Sequence, residues 1–384
     1  LRMNNQPLVR LNYRSNFGSQ MRLFLVFALV SSLVAAQSSS EDLRGSFRLM
    51  QLEVAAGAKI SGELLVYDGS DGINTFIPVT ILHGRKTGPV LSLIAGIHGS
   101  EYSPIVAMQR LPKLLDPEEM SGTLVIVHIA NIPAFKGRTI YFGPNDLKNL
   151  NRSFPGKIDG TVTERIAYTL SKEIMPLSDY LIDIHSGDGN ESLGPAYVAY
   201  YGEAGVANVI SQSKRMAVAF GLETIVEFAG SYNSLDDAIY TSAQAVTRGI
   251  PSMDVESGEL GMAHDNSINP IIDGALSVMR ELGMIPGASK PATNPLFIAE
   301  RARVYSDHQG IWYPDELIET GQYVTEGTRL GTITDYFGNE LKTISAPASG
   351  ILLILFRTPP VNEGDNIAVI GRVPPSVLSL SNSQ

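Results

Sequence analysis

Two histidines and one acid stand out by their spacing. In Gly96-Ile97-His98-Gly99-Ser100-Glu101-Tyr102 an imidazole and a carboxylate sit three positions apart, where an apolar run ends and a helical pattern begins. Both side chains can then face one point above the turn. The run Ile182-Asp183-Ile184-His185-Ser186-Gly187 ends a second apolar stretch on another histidine. Two imidazoles and a carboxylate are the ligand set of a catalytic zinc, which takes three protein donors and keeps a fourth position open. The chain has no cysteine, so thiolate ligands, disulfides and cysteine nucleophiles are excluded, and six histidines and the acids are the available donors. A bare His-x-x-Glu is also a capping or surface pair. The glycine-rich flanks and the second histidine at a strand end favour the metal, and His98, Glu101 and His185 are read as ligands of one Zn2+ per chain.

A hydrolytic centre also needs a base and a cation. Glu256, in Val255-Glu256-Ser257-Gly258, follows a largely apolar stretch from Ile250 to Val255 and is expected at another strand end. It can take a proton from the attacking water and pass it to a leaving amine, or else it forms an edge salt bridge. Arg138 can polarise the scissile carbonyl, and Asn151 with Arg152 can hold a substrate carboxylate through a planar fork of donors. Taken alone, each arginine is equally a surface residue. Of the other histidines, His128 reads as a core residue inside an apolar strand, and His264, soon after the Glu256 loop, is the one to test. Tyr232, Tyr305 and Tyr313 read as packing aromatics.

Elements must bring these residues together. The segments 88–97 and 179–184 are nearly continuous apolar runs of the kind buried parallel strands show, and each stops at a histidine. Helical patterns run from Glu101 to about Leu111, from Thr163 to Met175 behind a Thr cap, and from Asn269 to Leu282 with Pro270 in the first turn. Further strands are expected at 123–130, 195–201, 222–228 and 251–256. This is an α/β sheet covered by helices, and such sheets bind ligands beyond the carboxyl ends of their strands. Near residue 290 the texture changes. Pro286, Pro291 and Pro295 mark a linker, and 291–384 reads as a small all-β domain after a catalytic domain at 37–290. Val324-Thr-Glu-Gly327 echoes Val361-Asn-Glu-Gly364, like the two halves of a lipoyl-like β-sandwich. No attachment lysine stands in the turn Ala346-Pro347-Ala348-Ser349-Gly350 between them, so a structural or lid role is expected.

Residues 1–36 read as a leader and signal peptide. Arg22 precedes an apolar run from Leu23 to Ala36, with Val34 and Ala36 at the spacing of a cleavage site, and the start lies at Met3, Met21 or elsewhere. The apolar run is short for a membrane span, so no stable membrane insertion is expected after cleavage, and the product would be exported to a periplasmic or extracellular space. The formal charge of -10 and the lack of a basic cluster argue against a nucleic-acid partner. Nothing in the sequence sets the oligomeric state.

The segments GIHGSEYSP, NIPAFKGRTIYFGPNDLKNLNRSFPG, DIHSG and VESGELG, in this order, resemble the succinylglutamate desuccinylase/aspartoacylase family, relatives of the zinc carboxypeptidases. The likeness spans about residues 75 to 371. It implies a carboxypeptidase-like mixed sheet flanked by helices, zinc on His98, Glu101 and His185, Glu256 as general base, Arg138 on the carbonyl, and Asn151 and Arg152 on the substrate carboxylate. The family's usual Asp-Leu-Asn-Arg is here Asn149-Leu150-Asn151-Arg152, which puts the orientation of Arg152 in question. The implied activity is zinc-dependent deacylation of N-acyl amino acids or related small carboxylate-bearing substrates. A metallo-carboxypeptidase acting on peptides, or an inactive binding protein on the same fold, are the alternatives. An open groove would favour the first of these and a capped pocket the deacylase. Export argues against arginine catabolism or N-acetylaspartate breakdown as its task.

Overall fold

The computed structural model describes residues 44–375, so the expected leader at 1–36 lies outside the described residues. A hairpin of β1 (Phe47–Leu49) and β2 (Leu52–Val54) precedes β3 (Ala58–Leu65), β4 (Phe76–His83) and β5 (Lys86–Ala95). Then follow α1 (Tyr102–Arg110), β6 (Ser121–Val127), α2 (Ile132–Gly137), α3 (Val162–Thr169), β7 (Tyr180–His185), β8 (Glu191–Leu193) and β9 (Tyr197–Tyr201). The order continues through α4 (Ala207–Phe220), β10 (Thr224–Phe228), α5 (Thr241–Thr247), β11 (Ser252–Glu256), α6 (Asp265–Glu281) and β12 (Leu296–Ile298).

Nine of these strands form one sheet in the order β12-β10-β9-β11-β7-β5-β6-β4-β3. The central pairs β5·β6, β5·β7 and β11·β7 are parallel, whereas β11·β9 and β4·β6 are antiparallel. The sheet is therefore mixed, as the family resemblance implies. Its apolar runs are continuous because both faces are covered. Leu91, Leu93, Leu124, Ile126, Ile182 and Ile184 point into one core, with Met108, Phe220 and Ile271 of α1, α4 and α6. Their alternates Ile94, Val125, Val127 and Leu181 point into the opposite core, with Ile166 of α3 and Ala245 of α5.

Two helix starts differ from expectation. Helix α3 begins at Val162, one residue before the expected start at Thr163, with Thr161 as its cap in a capping box with Glu164. Helix α6 begins at Asp265 with Pro270 inside it. The earlier turn is solvated and carries Asp265 at its positive end, so it forms ahead of the proline. Among the described residues no helix is long and apolar enough to cross a membrane.

Beyond β12 the chain is all β: β13 (Arg301–Tyr305), β14 (Gly310–Pro314), β15 (Tyr323–Val324), β16 (Arg329–Thr334), β17 (Glu340–Ser345), β18 (Gly350–Phe356), β19 (Pro360–Val361) and β20 (Asn366–Gly371). One sheet runs β13-β20-β18-β15, the other β17-β16-β14-β19. The echoed V-x-E-G segments are matching turns, with Gly327 and Gly364 at φ +85° and +89°, a conformation glycine adopts without strain. Trp312, its Nε1 donating to Phe356 O at 2.8 Å, is buried between the two sheets with Leu330, Ile333 and Leu352.

The two halves are interlaced. Strand β12, past the proline-marked boundary at 290, pairs in parallel with β10 in the large sheet. In the other direction β8, just after His185, adds to β18. A shared core of Leu193, Tyr197, Val226, Ile298, Leu353 and Val369 closes the seam.

Candidate active site

The strand ends set the site. Strands β5, β7 and β11 run in the same direction, so the turn after β5 and the last residues of β7 and β11 meet at one edge. His185 and Glu256 are register partners there. His98 lies in the β5–α1 turn, where Gly96 takes φ +69° and a Cβ on Gly99 would collide with the backbone of Ala134. Glu101 is the N-cap residue of α1.

Three donors converge as expected. His98 Nδ1 is 2.7 Å from one oxygen of Glu101, and His185 Nδ1 is 2.9 Å from the other. All three residues are buried, and their ligand atoms lie within 4.8 Å of one another. The outer ring nitrogens are also engaged. His185 Nε2 faces Asp183 Oδ2 at 2.9 Å, and His98 Nε2 faces Asn149 Oδ1 at 3.1 Å. These outer acceptors turn both rings with Nδ1 inward, as the outer partners of metal-binding histidines do. Burial works against charge on both imidazoles, yet Glu101 holds His98 above its usual range, and Asp183 with Glu101 holds His185 well above it. Burial alone would raise Glu101, but His185 and His98 draw it down to about 2. A compact cluster of two nitrogens and one carboxylate, with its outer partners in place, fits a zinc ion.

These residues line a cavity of about 600 Å³ together with Asn151, Arg152 and Glu256. Among the described residues none donates a hydrogen bond to the Glu256 carboxylate, and burial raises its pKa well above the ordinary carboxylate value. Asn151 spends its oxygen on Thr241 N at 2.9 Å and leaves its nitrogen toward His185 Nε2 at 3.4 Å. Arg152 stacks 4.3 Å above the Tyr240 ring, and one of its nitrogens donates to Asn151 O at 2.6 Å. Asn149 accordingly bears on the orientation of His98 rather than of Arg152.

The structure does not bring Arg138 to this cavity. Arg138 caps α2 in the left-handed conformation at φ 54°, is exposed, and borders a separate surface groove with Tyr102 and Phe135. The chain turns away there before Tyr141 returns to the site. His264 is exposed at the N-cap of α6 and lies outside the cavity lining. His128 donates to or accepts from Thr80 at 2.7 Å, as a strand-end residue.

Several cavity residues were not singled out from the sequence. Tyr141 sets its ring edge-on to His98 and its hydroxyl donates to Glu191 at 2.7 Å. Burial pushes Glu191 up to about 7, and burial with the neighbouring Asp183 pushes Asp254 to about 7. Tyr232 and Tyr305, read from the sequence as packing aromatics, line the cavity too, whereas Tyr313 does not. Arg301 and Arg303 of β13 also line it. The period of two along a strand could have flagged Asp183 behind His185 and Asp254 behind Glu256.

Residues 87–282 match the family model of the succinylglutamate desuccinylase/aspartoacylase catalytic domain. The chain is 30% identical over 307 residues to the N-alpha-acetyl-L-2,4-diaminobutyric acid deacetylase of Halomonas elongata, covering 77% of this chain and 86% of that one. The product-bound ectoine utilization protein EutE of Ruegeria pomeroyi superposes with a TM-score of 0.74 at 24% identity, over 86% of this chain and 100% of that one. A succinylglutamate desuccinylase/aspartoacylase of Rhodobacter sphaeroides gives 0.70 at 23% identity, over 81% and 94%. At these identities the two structures speak for the fold.

Proposed function

Because this chain belongs to the succinylglutamate desuccinylase/aspartoacylase family, we propose that it is a zinc-dependent deacylase that hydrolyses the amide bond of N-acyl amino acids or related small carboxylate-bearing substrates. The observation that carries the reading is the meeting of three elements in one cavity: the His98, Glu101 and His185 donors, the unbonded Glu256 carboxylate, and the stacked Arg152 guanidinium. The relative from Halomonas elongata, named for removing an acetyl group from an amino acid, supports the same class of reaction.

The chemistry that zinc supplies at His98, Glu101 and His185 is Lewis-acid polarisation of the scissile carbonyl and a lowered pKa for the attacking water. Glu256 accepts the proton from that water and delivers it to the departing amine nitrogen. Arg152, held flat on Tyr240, presents its fork to the substrate carboxylate, and the Asn151 amide nitrogen flanks it. Asp183 and Asn149 keep the two imidazoles turned.

The β half walls the cavity through Arg301, Arg303, Tyr305, Ile354 and Phe356, which supports a small substrate over a peptide lying in an open groove. We further propose that the protein is exported, because Arg22 and the apolar run from Leu23 to Ala36 read as a signal peptide.

The test is to measure metal per purified chain and to screen N-acyl amino acids and short peptides, with Glu256→Gln as control. Turnover of N-acyl amino acids with about one zinc per chain is expected. Preferred cleavage of peptides would point to the carboxypeptidase alternative, and substrate binding without turnover to the binding protein. Undiminished turnover in Glu256→Gln would remove the base.

A further inference from the structure

Three register partners stand in a row at the edge of the site. Strand β11 lies between β7 and β9 in the large sheet, and Glu256 at its end is paired with His185 on one side and with Tyr197 on the other. Paired residues of neighbouring strands project from the same face, so a metal donor, the base and a phenol are set side by side, roughly 5 Å from strand to strand. All three line the cavity. His185 and Glu256 already have tasks in the cleavage. Tyr197 has none, and among the described residues none hydrogen-bonds its hydroxyl.

The phenol is nonetheless fixed and neutral. Tyr197 is 3% exposed, and its ring packs with Leu193, Val226, Ile298 and Leu353 in the core that joins the two halves. The hydroxyl therefore reaches the site with little freedom left to lose on binding. Burial and the neighbouring Glu256 hold its pKa well above the usual phenol value, against the opposing pull of Arg301 and Arg303. It stays a protonated hydroxyl whose oxygen can still accept a hydrogen bond.

Amide hydrolysis needs an acceptor at this place. When the water oxygen bonds to the carbonyl carbon, Glu256 takes a proton from that water, and the scissile nitrogen turns from planar to pyramidal. The new lone pair on nitrogen must point at Glu256 to receive the proton as the C–N bond breaks, so the N–H must point away from the base. The water leaves its oxygen and one hydrogen on the acid and its other hydrogen on the amine. We infer that Tyr197 is a further catalytic residue, whose hydroxyl oxygen accepts the N–H of the scissile amide on the side of Glu256 remote from His185 and so turns the nitrogen lone pair toward Glu256. The inference rests on the deacylase reading for the bond that is cut. It fits the site to amides in particular, because an ester has a bare oxygen where the amide has N–H and makes no use of Tyr197.

The experiment measures kcat and KM of the zinc-loaded unmutated chain and of Tyr197→Phe on N-acetylalanine and on O-acetyllactate, which differ only in NH or O at the bond cut. Tyr197→Phe keeps the ring in the seam, so zinc content and Tm should stay unchanged. The expected result is a loss of at least about tenfold in kcat on the amide, with its KM and the ester rate within about twofold. Equal losses on both substrates would mean a structural role and overturn the inference, as would an amide kcat that does not fall or a loss confined to KM. Absence of turnover on both substrates by the unmutated chain, read before any variant, would remove the deacylase itself and the inference with it.

Discussion

Asp183 and His185 stand two residues apart on one strand, and the Asp183 carboxylate meets the outer nitrogen of the imidazole at 2.9 Å. Its other oxygen is buried without a hydrogen bond, so the whole acid is committed to that ring. Across the cluster His98 has only the neutral amide of Asn149 behind it. Asp183→Asn should therefore loosen zinc by about 10- to 100-fold, the usual cost of losing such a partner. Chelator competition reads this directly. Asn149→Asp, placing a carboxylate behind His98 as well, should move affinity in the opposite direction.

Glu256→Gln should lower kcat by roughly 100- to 10,000-fold while leaving zinc content intact, as expected for a general base that is no ligand. Since burial raises the Glu256 pKa, its unprotonated form appears only above the ordinary carboxylate range. Activity should accordingly rise with pH through a limb centred above that range. Glu191 is among the charges that push Glu256 up, so Glu191→Gln should shift the limb to lower pH. A pH profile of kcat/KM that does not move would contradict this coupling.

Arg152 and Arg138 should separate in kinetics. Arg152→Gln removes a stacked, charge-assisted donor from the cavity and should cost about 1.5–3 kcal/mol of substrate binding, seen mainly in KM. Arg138→Gln lies outside the cavity and should change kcat/KM by less than about twofold.

The seam should report on both halves. Leu353 is fully buried against Leu193, Tyr197 and Val226, so Leu353→Ala should cost about 2–5 kcal/mol. Because that core joins the two sheets, thermal unfolding should remain a single transition at lower Tm. Two separated transitions would show that the halves melt independently.

Glu164 couples α3 to the loop bearing Asn149. It accepts from Thr161 N at 2.9 Å and pairs with Lys148 at 2.9 Å. Burial works against its charge, but Lys148 and Thr161 hold its pKa down to about 2. A depressed folded-state value contributes stability above the unfolded carboxylate pKa and loses it as pH falls toward 2. Glu164→Gln should thus cost about 1–2 kcal/mol at neutral pH. The difference from the unsubstituted chain should vanish near pH 2, as denaturant titrations at several pH values would show.

His98, His185 and Glu256 are legible in the sequence because each stands at the end of a largely apolar run, and strand ends of parallel pairs share an edge. Glu101 is legible through its spacing from His98. Arg138 is not, because the left-handed residue ending α2 reverses the chain within one position, which spacing does not reveal. Arg301 and Arg303 are hidden for another reason. Alternation tells that they share a face of β13, but which face meets the cavity depends on pairing with β20, far along the chain. Tyr232 likewise reaches the site only through its packing on Tyr201. The proline texture near 290 marks a real change from helices to strands, yet it says nothing of β8 and β18 joining across it.

That crossed pairing limits how the molecule can be recombined. A chimera spliced at the prolines would take β18 from one parent and β8 from another, so that the side chains meeting across that seam, such as Leu193 and Ile354, come from different parents a few residues from His185. Exchange of substrate preference between relatives should therefore move 186–194 and 291–371 as a pair, two distant stretches of gene that meet in one sheet.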